Sequence, residues 1–179
     1  MIYVMLADGF EEIEALAFVD ILRRANIDVK TVSTDNTQIV RGTHNISVVA
    51  DELLKDIKEI ADGIVLPGGI PGTYNLRDNV TIQKMINDYN SKGKLVAAIC
   101  AAPSVLGGLN ILNGKKATCY PSFEDKLIGA AFTDDKVVVD GNIVTSRGAG
   151  TAHEFAFKFV EILVNKDNAD ELRGTMLYD

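Results

Sequence analysis

The sequence predicts a doubly wound α/β sandwich, and three observations predict it. Apolar segments of strand length alternate with amphipathic segments of helical period through most of the chain. The strand segments lack a clean alternation of apolar and polar residues, which fits strands buried on both faces of a mostly parallel sheet. The 179 residues contain no repeat, low-complexity run or linker that would split them, so a single domain spanning 1–179 is expected.

Each element has its own signal. Ile2 to Ala7 reads as a buried strand, and Glu11 to Ala25 as a helix with Ile13, Leu16, Ala17, Phe18, Ile21 and Leu22 at helical spacing. Val29 to Thr34 and Ile46 to Ala50 read as strands, and Glu52 to Ile60 as a short helix. Gly63 to Leu66 is an apolar run bounded by Gly and Pro, hence a strand. Val80 to Asn90 places Ile82, Met85, Ile86 and Tyr89 on one helical side. Leu95 to Ile99 is a further buried strand, Ala102 to Leu112 a helix, and Lys116 to Cys119 a short strand. Val137–Val139 and Ile143–Ser146 flank Asp140-Gly141-Asn142, a hairpin turn. Phe155, Phe159, Ile162 and Leu163 set a last long helix, with Thr151 and Glu154 at capping-box spacing. The polar tail from Asp167 to Asp179 reads as loosely docked.

Composition removes several function classes. The net charge of −7 repels nucleic acid and anionic membranes, so neither is an expected partner. No stretch reaches the ~20 apolar residues of a membrane helix. The start, MIYVMLADGFEE, lacks a positive flank and reads as a first strand, not a secretion signal. Two cysteines make no disulfide framework, and two histidines far apart in sequence make a metal site unexpected. This balance fits a reducing, cytoplasmic compartment.

In a sheet of this kind, ligands bind beyond the carboxyl ends of the strands, where Cys100, Gly68-Gly69 and the Glu-rich start of the first helix meet. Cys100 has two readings. Free cysteine is a common core filler. At a strand-to-helix corner beside the small Ala101 and Ala102, it is also placed like an elbow nucleophile, with the helix dipole favouring thiolate. Glu14 shares a stripe with Phe18, Ile21 and Ala25. It is either a partly buried acid with a raised pKa, able to move a proton, or a side chain rotated into water. Gly68-Gly69, in VLPGGIPGT, is either a plain turn or a loop presenting N–H groups to an oxyanion. It is no Walker loop, since no GK[ST] follows. Neither His44 nor His153 is placed by context as a base for Cys100, which disfavours Cys-His acyl transfer.

Together the motifs DGFEEIE, FVDILRRA, VLPGG, AAICAAP, ATCYP and TSRGAGT resemble the ThiJ/PfpI superfamily and, within it, the DJ-one branch in a bacterial-type form. The resemblance runs from the first strand to about Val164. It implies a flavodoxin-like domain forming a homodimer, with Cys100 as an oxidation-prone elbow nucleophile and Glu14 as a protonated carboxyl bonded to it. Gly68, Gly69 and the Ala101 N–H would surround the reacting oxygen. The implied activities are cofactor-free conversion of a 2-oxoaldehyde to a hydroxy acid, repair of early glycation adducts and oxidative-stress protection. The partner would thus be a small aldehyde or a glycated adduct. A redox sensor whose Cys100 becomes a sulfinate is the alternative, and an intracellular cysteine peptidase a third. The sequence departs from the animal pattern at Tyr120, which stands where those members carry a histidine; a phenol is a poor base near neutral pH. Asp20, which resembles the acid that holds that histidine, would bond Tyr120 or face water. Arg23 and Arg24 would pair across an interface or be solvated, and Arg147 would steady an anion or a loop.

Overall fold

A computed structural model describes residues 1–178. In chain order the elements are β1 (Ile2–Leu6), α1 (Glu12–Arg24), β2 (Val29–Ser33), β3 (Ile39–Arg41), β4 (Ser47–Val49), β5 (Glu52–Leu53) and β6 (Gly63–Leu66). Then follow α2 (Gly72–Asp78), α3 (Val80–Ser91), β7 (Leu95–Ile99), α4 (Pro103–Gly108), β8 (Lys116–Ala117) and β9 (Ala131–Phe132). The chain continues with β10 (Val137–Asp140), β11 (Ile143–Ser146), α5 (Ala152–Leu163) and α6 (Lys166–Thr175).

Seven strands form the central sheet in the order β10-β11-β7-β6-β1-β2-β5. All neighbours are parallel except the β10–β11 hairpin, whose turn carries Gly141 at a φ of 63°. The expected doubly wound α/β sheet is therefore present. Because successive side chains of a strand point to opposite faces, β1 feeds two cores. Ile2, Val4 and Leu6 join the core that holds Phe18 of α1 and Phe155 and Phe159 of α5. Tyr3 and Met5 join the one that holds Ile82 and Ile86 of α3. The missing alternation in the sequence has this cause: both faces are covered. From β1 the chain winds outward to β2 and β5, then returns to β6 on the other side of β1, so the order reverses between β1 and β6. Loops leaving the carboxyl ends of β1, β6 and β7 open into that crevice.

Several expectations fail locally. Glu52 to Ile60 is not a helix; Glu52–Leu53 pairs with Val32–Ser33 on the sheet edge, and Leu54–Asp56 makes one 3-10 turn. Edge pairing wins over a weak helical pattern. The strand expected at Ile46 to Ala50 is β4, but it pairs only with β3, in a separate hairpin. The helix after Cys100 stops at Gly108 rather than Leu112, since Gly107-Gly108 interrupts it and Gly107 lies against the Lys126 backbone. Lys116 to Cys119 yields only the two residues of β8. Helix α2 has no counterpart in the sequence reading.

The tail is not loosely docked. Asn165 caps α6, Arg173 binds Glu154 at 2.6 Å and covers the Phe157 ring at 4.4 Å, and Tyr178 stacks on His153. Asp179 lies outside the described residues. The capping box at Thr151 also fails, because Glu154 is taken by Arg173 and the Thr151 hydroxyl serves Gly148 and Ser146. Arg23 and Arg24 pair within the chain, with Asp51 and Asp20. Asp20 therefore bonds Arg24, not Tyr120.

Candidate active site

The site is built where β7 ends. The backbone passes from the buried strand into α4 through one sharp residue, Cys100, at a φ of 65°. A non-glycine residue in that region is unfavourable, and two hydrogen bonds hold it there: Cys100 N–H donates to the Ser146 carbonyl and the Tyr120 N–H donates to the Cys100 carbonyl. The strained corner lifts the thiol out of the sheet while leaving it partly exposed. Ala101 and Ala102 are small enough for the turn, and Pro103 occupies the first turn of α4, where a missing N–H loses nothing.

Glu14 reaches the same point from α1 and is fully buried at 1% exposure, so the helix does not rotate it into water. Its Oε2 accepts the Gly68 N–H at 2.8 Å. Its Oε1 is buried with no hydrogen-bond partner among the described residues. Gly68 must be glycine for closeness: a Cβ there would sit 2.6 Å from the Cys100 Cβ and 2.7 Å from Glu14 Oε2. Gly69, at a φ of 88°, turns the chain toward α2. The Gly69 and Ala101 N–H groups lie against the thiol, whereas the Gly68 N–H is committed to Glu14. Gly68 is thus a support for the acid rather than an oxyanion donor.

Electrostatics follow from burial. Desolvation pushes the Glu14 carboxyl up to about 7, against the opposing pull of the Gly68 N–H and the Cys100 thiol. Desolvation, joined by the Glu14 carboxylate, pushes the Cys100 thiol up to about 12. The six-residue α4 gives the thiol little dipole stabilisation, and burial beside the Glu14 carboxyl works against its ionisation.

Tyr120 closes one side. It is half-exposed, and its ring lies beside Gly148, where a Cβ would stand 3.1 Å from Tyr120 Cδ2 and 3.9 Å from Cys100 Sγ. Gly148 belongs to the TSRGAGT run, and only the fold brings it beside the thiol; glycines flanking a strand end are the one signal the sequence offers. Arg147 pairs with Asp134. Cys119 is fully buried, and burial raises its thiol to about 11, which favours the core-filling reading of that residue.

The histidines stand apart from this chemistry. His153 stacks on Tyr178, and His44 Nδ1 lies 2.9 Å from Glu12 Oε2 and 3.6 Å from Glu11 Oε2. Glu11, Glu12 and His44 place donor atoms within 4.8 Å of one another, so separation in sequence did not keep metal-type ligands apart. The cluster is accounted for as an ion pair that ties the β3–β4 hairpin to α1, with Glu12 Oε1 also accepting the His44 N–H. None of the described helices is long and apolar enough to cross a membrane.

A family model described as the DJ-1/PfpI family matches residues 1–162. The chain belongs to the DJ-1/PfpI family. A member from Arabidopsis thaliana, protein DJ-1 homolog B, is 42% identical over 98% of this chain and 41% of its own length. The chain spans less than half of each of the two Arabidopsis relatives it matches. A Caenorhabditis elegans member named glutathione-independent glyoxalase DJR-1.2 is 35% identical over 90% of this chain and 87% of its own. Among solved structures, oxidized Toxoplasma gondii DJ-1 is 40% identical with a TM-score of 0.95, covering 99% of this chain and 97% of that one. A DJ-1 superfamily protein of Salmonella typhimurium is 32% identical with a TM-score of 0.96, covering 99% and 98%.

Proposed function

We propose that this DJ-1/PfpI family member is a cofactor-free enzyme that converts reactive 2-oxoaldehydes, or their early adducts, to hydroxy acids. The observation that carries the reading is the buried Glu14 carboxyl, with one oxygen unpartnered, beside the Cys100 thiol at its strained corner. The glyoxalase name of the Caenorhabditis elegans relative supports the same class of reaction.

Burial, which disfavours the charged form of both groups, orders the steps. A protonated thiol is a poor nucleophile, so Glu14 first acts as base, taking the sulfur's proton as sulfur attacks the aldehyde carbon. The proton passes to the former aldehyde oxygen and gives a hemithioacetal. Glu14 then carries a proton from that carbon to the neighbouring keto carbon through an enediol. The first carbon is oxidised to a thioester and the second is reduced to an alcohol, with no external oxidant. Water cleaves the thioester, releasing the hydroxy acid and restoring the thiol. The Gly69 and Ala101 N–H groups, which lie against the thiol, stabilise the developing oxyanion in this reading. Tyr120 serves as a wall and hydrogen-bond donor rather than as a base.

The test is lactate formation from methylglyoxal by purified protein. Cys100→Ala should abolish it. Because Glu14 must be ionised to act as base, kcat/KM should rise with pH through about 7, and Glu14→Gln, which can neither take nor carry the proton, should lose most of the activity. Lactate formation equal in the wild type and Cys100→Ala defeats the reading.

A second reading, peroxide sensing through a Cys100 sulfinate, draws on the partly exposed thiol and on the oxidized state named for the Toxoplasma gondii relative. A thiol pushed up to about 12 argues against fast spontaneous oxidation, since the thiolate is the reactive form. Intact mass after mild peroxide separates the two readings: two added oxygens on Cys100 favour sensing. A peptidase has less support, because both histidines engage other groups. The free cysteines suit a reducing cytoplasm. A homodimer is part of the same reading.

A further inference from the structure

We propose that Gly148 and Tyr120 form a size-selecting entrance to Cys100, with Gly148 as the specificity-determining residue. The proposal rests on Cys100 being the reacting group. An open, largely apolar trough is lined by Tyr120, Pro121, Arg147, Gly148 and Thr151, and its Gly148 borders the Cys100 thiol. The missing side chain of Gly148 keeps it open, since a Cβ there would stand 3.9 Å from Sγ and 3.1 Å from the Tyr120 ring.

The two walls differ in freedom. On the Gly148 side, Thr151 Oγ1 accepts the Gly148 N–H at 3.1 Å and donates to the Gly148 carbonyl at 2.9 Å. The same hydroxyl lies 2.7 Å from Ser146 Oγ, which donates to the Lys136 carbonyl at 2.8 Å. That wall is pinned at consecutive points. Among the described residues Tyr120 is held through its backbone, which donates to the Cys100 carbonyl and accepts from the Phe123 N–H, and its side chain is half-exposed. The backbone at Gly148 is extended, so the position supplies space and not a left-handed turn. Bulk added at residue 148 therefore cannot be absorbed by its own loop. It displaces the Tyr120 ring or fills the trough, and either narrows the path to sulfur.

The consequence is selection by size. An aldehyde of three carbons needs only the immediate surroundings of Cys100. An aldehyde or hemithioacetal carried on a larger molecule needs the trough for its remaining atoms. Gly148 sets that limit, and Tyr120 is the adjustable wall.

Access is measured without relying on turnover. Cys100 of the full chain is alkylated by iodoacetamide and, separately, by N-benzylmaleimide, and the two rates are followed by intact mass. Both reagents attack the same sulfur, so a change in its ionisation cancels in their ratio. Gly148→Ala should lower the benzylmaleimide-to-iodoacetamide ratio by about tenfold, the discrimination a single added methyl group gives in a tight site. Tyr120→Ala should raise it, and should restore it in combination with Gly148→Ala. An unchanged ratio in Gly148→Ala overturns the proposal, as does a low ratio that Tyr120→Ala fails to restore. Should Gly148→Ala not fold, the wild-type and Tyr120→Ala ratios decide, with no increase counting against it. Lactate formation is assayed alongside, so an inactive protein with the expected ratios defeats the proposed reaction and leaves the entrance standing.

Discussion

Glu14 illustrates how one residue's surroundings set both chemistry and stability. Its folded pKa is raised from an ordinary 4.5 to about 7, so the folded state holds the proton more tightly than the unfolded state does. Stability from this group is full below 4.5 and is lost as pH rises toward about 7, where the buried carboxylate is ionised. Glu14→Gln does not titrate. Its stability relative to wild type should therefore rise by on the order of 3 kcal/mol between acidic and mildly alkaline pH. Chemical denaturation across that range measures it, and a pH-independent difference would count against the burial account. Cys100 lies at the opposite limit of legibility. Its corner position is legible from Ala101, Ala102 and Pro103, but its electrostatic surroundings are not, because packing brings alongside it a carboxyl from a distant helix.

At the scale of elements, α1 and α5 meet through aromatic packing. The Phe18 ring sits edge-on to Phe159 at a centroid distance of 4.8 Å and tilted to Phe155 at 5.3 Å. Phe18→Ala should cost about 3–5 kcal/mol, read from the unfolding midpoint in urea. The β3–β4 hairpin depends on a different device. Burial pushes the Glu12 carboxyl up, but hydrogen bonds from the His44 ring and from backbone N–H groups hold it below its ordinary 4.5. The Glu12 hydrogen bond raises the His44 imidazole above 6.5. The Glu12 contribution is lost as pH falls through its lowered pKa, and the His44 contribution as pH rises through its raised one. The clasp is therefore strongest from 4.5 to 6.5. Glu12→Gln should speed amide hydrogen exchange at His44 and Ile46 more than at the central strands; uniform exchange would refute a local clasp. None of this could be read from the hairpin's sequence, since its partner lies some thirty residues away on α1.

At the scale of the whole molecule, apolar side chains of the hairpin region and of α1 are left uncovered by the chain itself. Ile39, Ile46 and Val49 of the hairpin region and Ile13 of α1 are each more than half exposed, and the Glu12–His44 clasp holds hairpin and helix together. A second copy of the chain is the occupant the proposed homodimer supplies. Light scattering should give twice the mass of one chain, and Val49→Glu should shift it toward one chain without loss of fold. A wild-type monomer at all concentrations would remove the dimer from the functional reading.

Hydrophobic period and Gly/Pro punctuation determined the layered sheet, most helices and the meeting of three loops at one rim. These are local signals that survive because buried strands and amphipathic helices must pack apolar faces. Motif resemblance added the family. Only the tertiary structure decided that Gly68 holds Glu14, that Gly148 borders the thiol, that α6 docks through Arg173, and that Glu52 to Ile60 joins the sheet edge. The reason is physical. Each of these depends on a contact between residues distant in sequence, through a hydrogen bond, an ion pair or the space left by a missing side chain. Periodicity along a single segment carries no trace of such a contact.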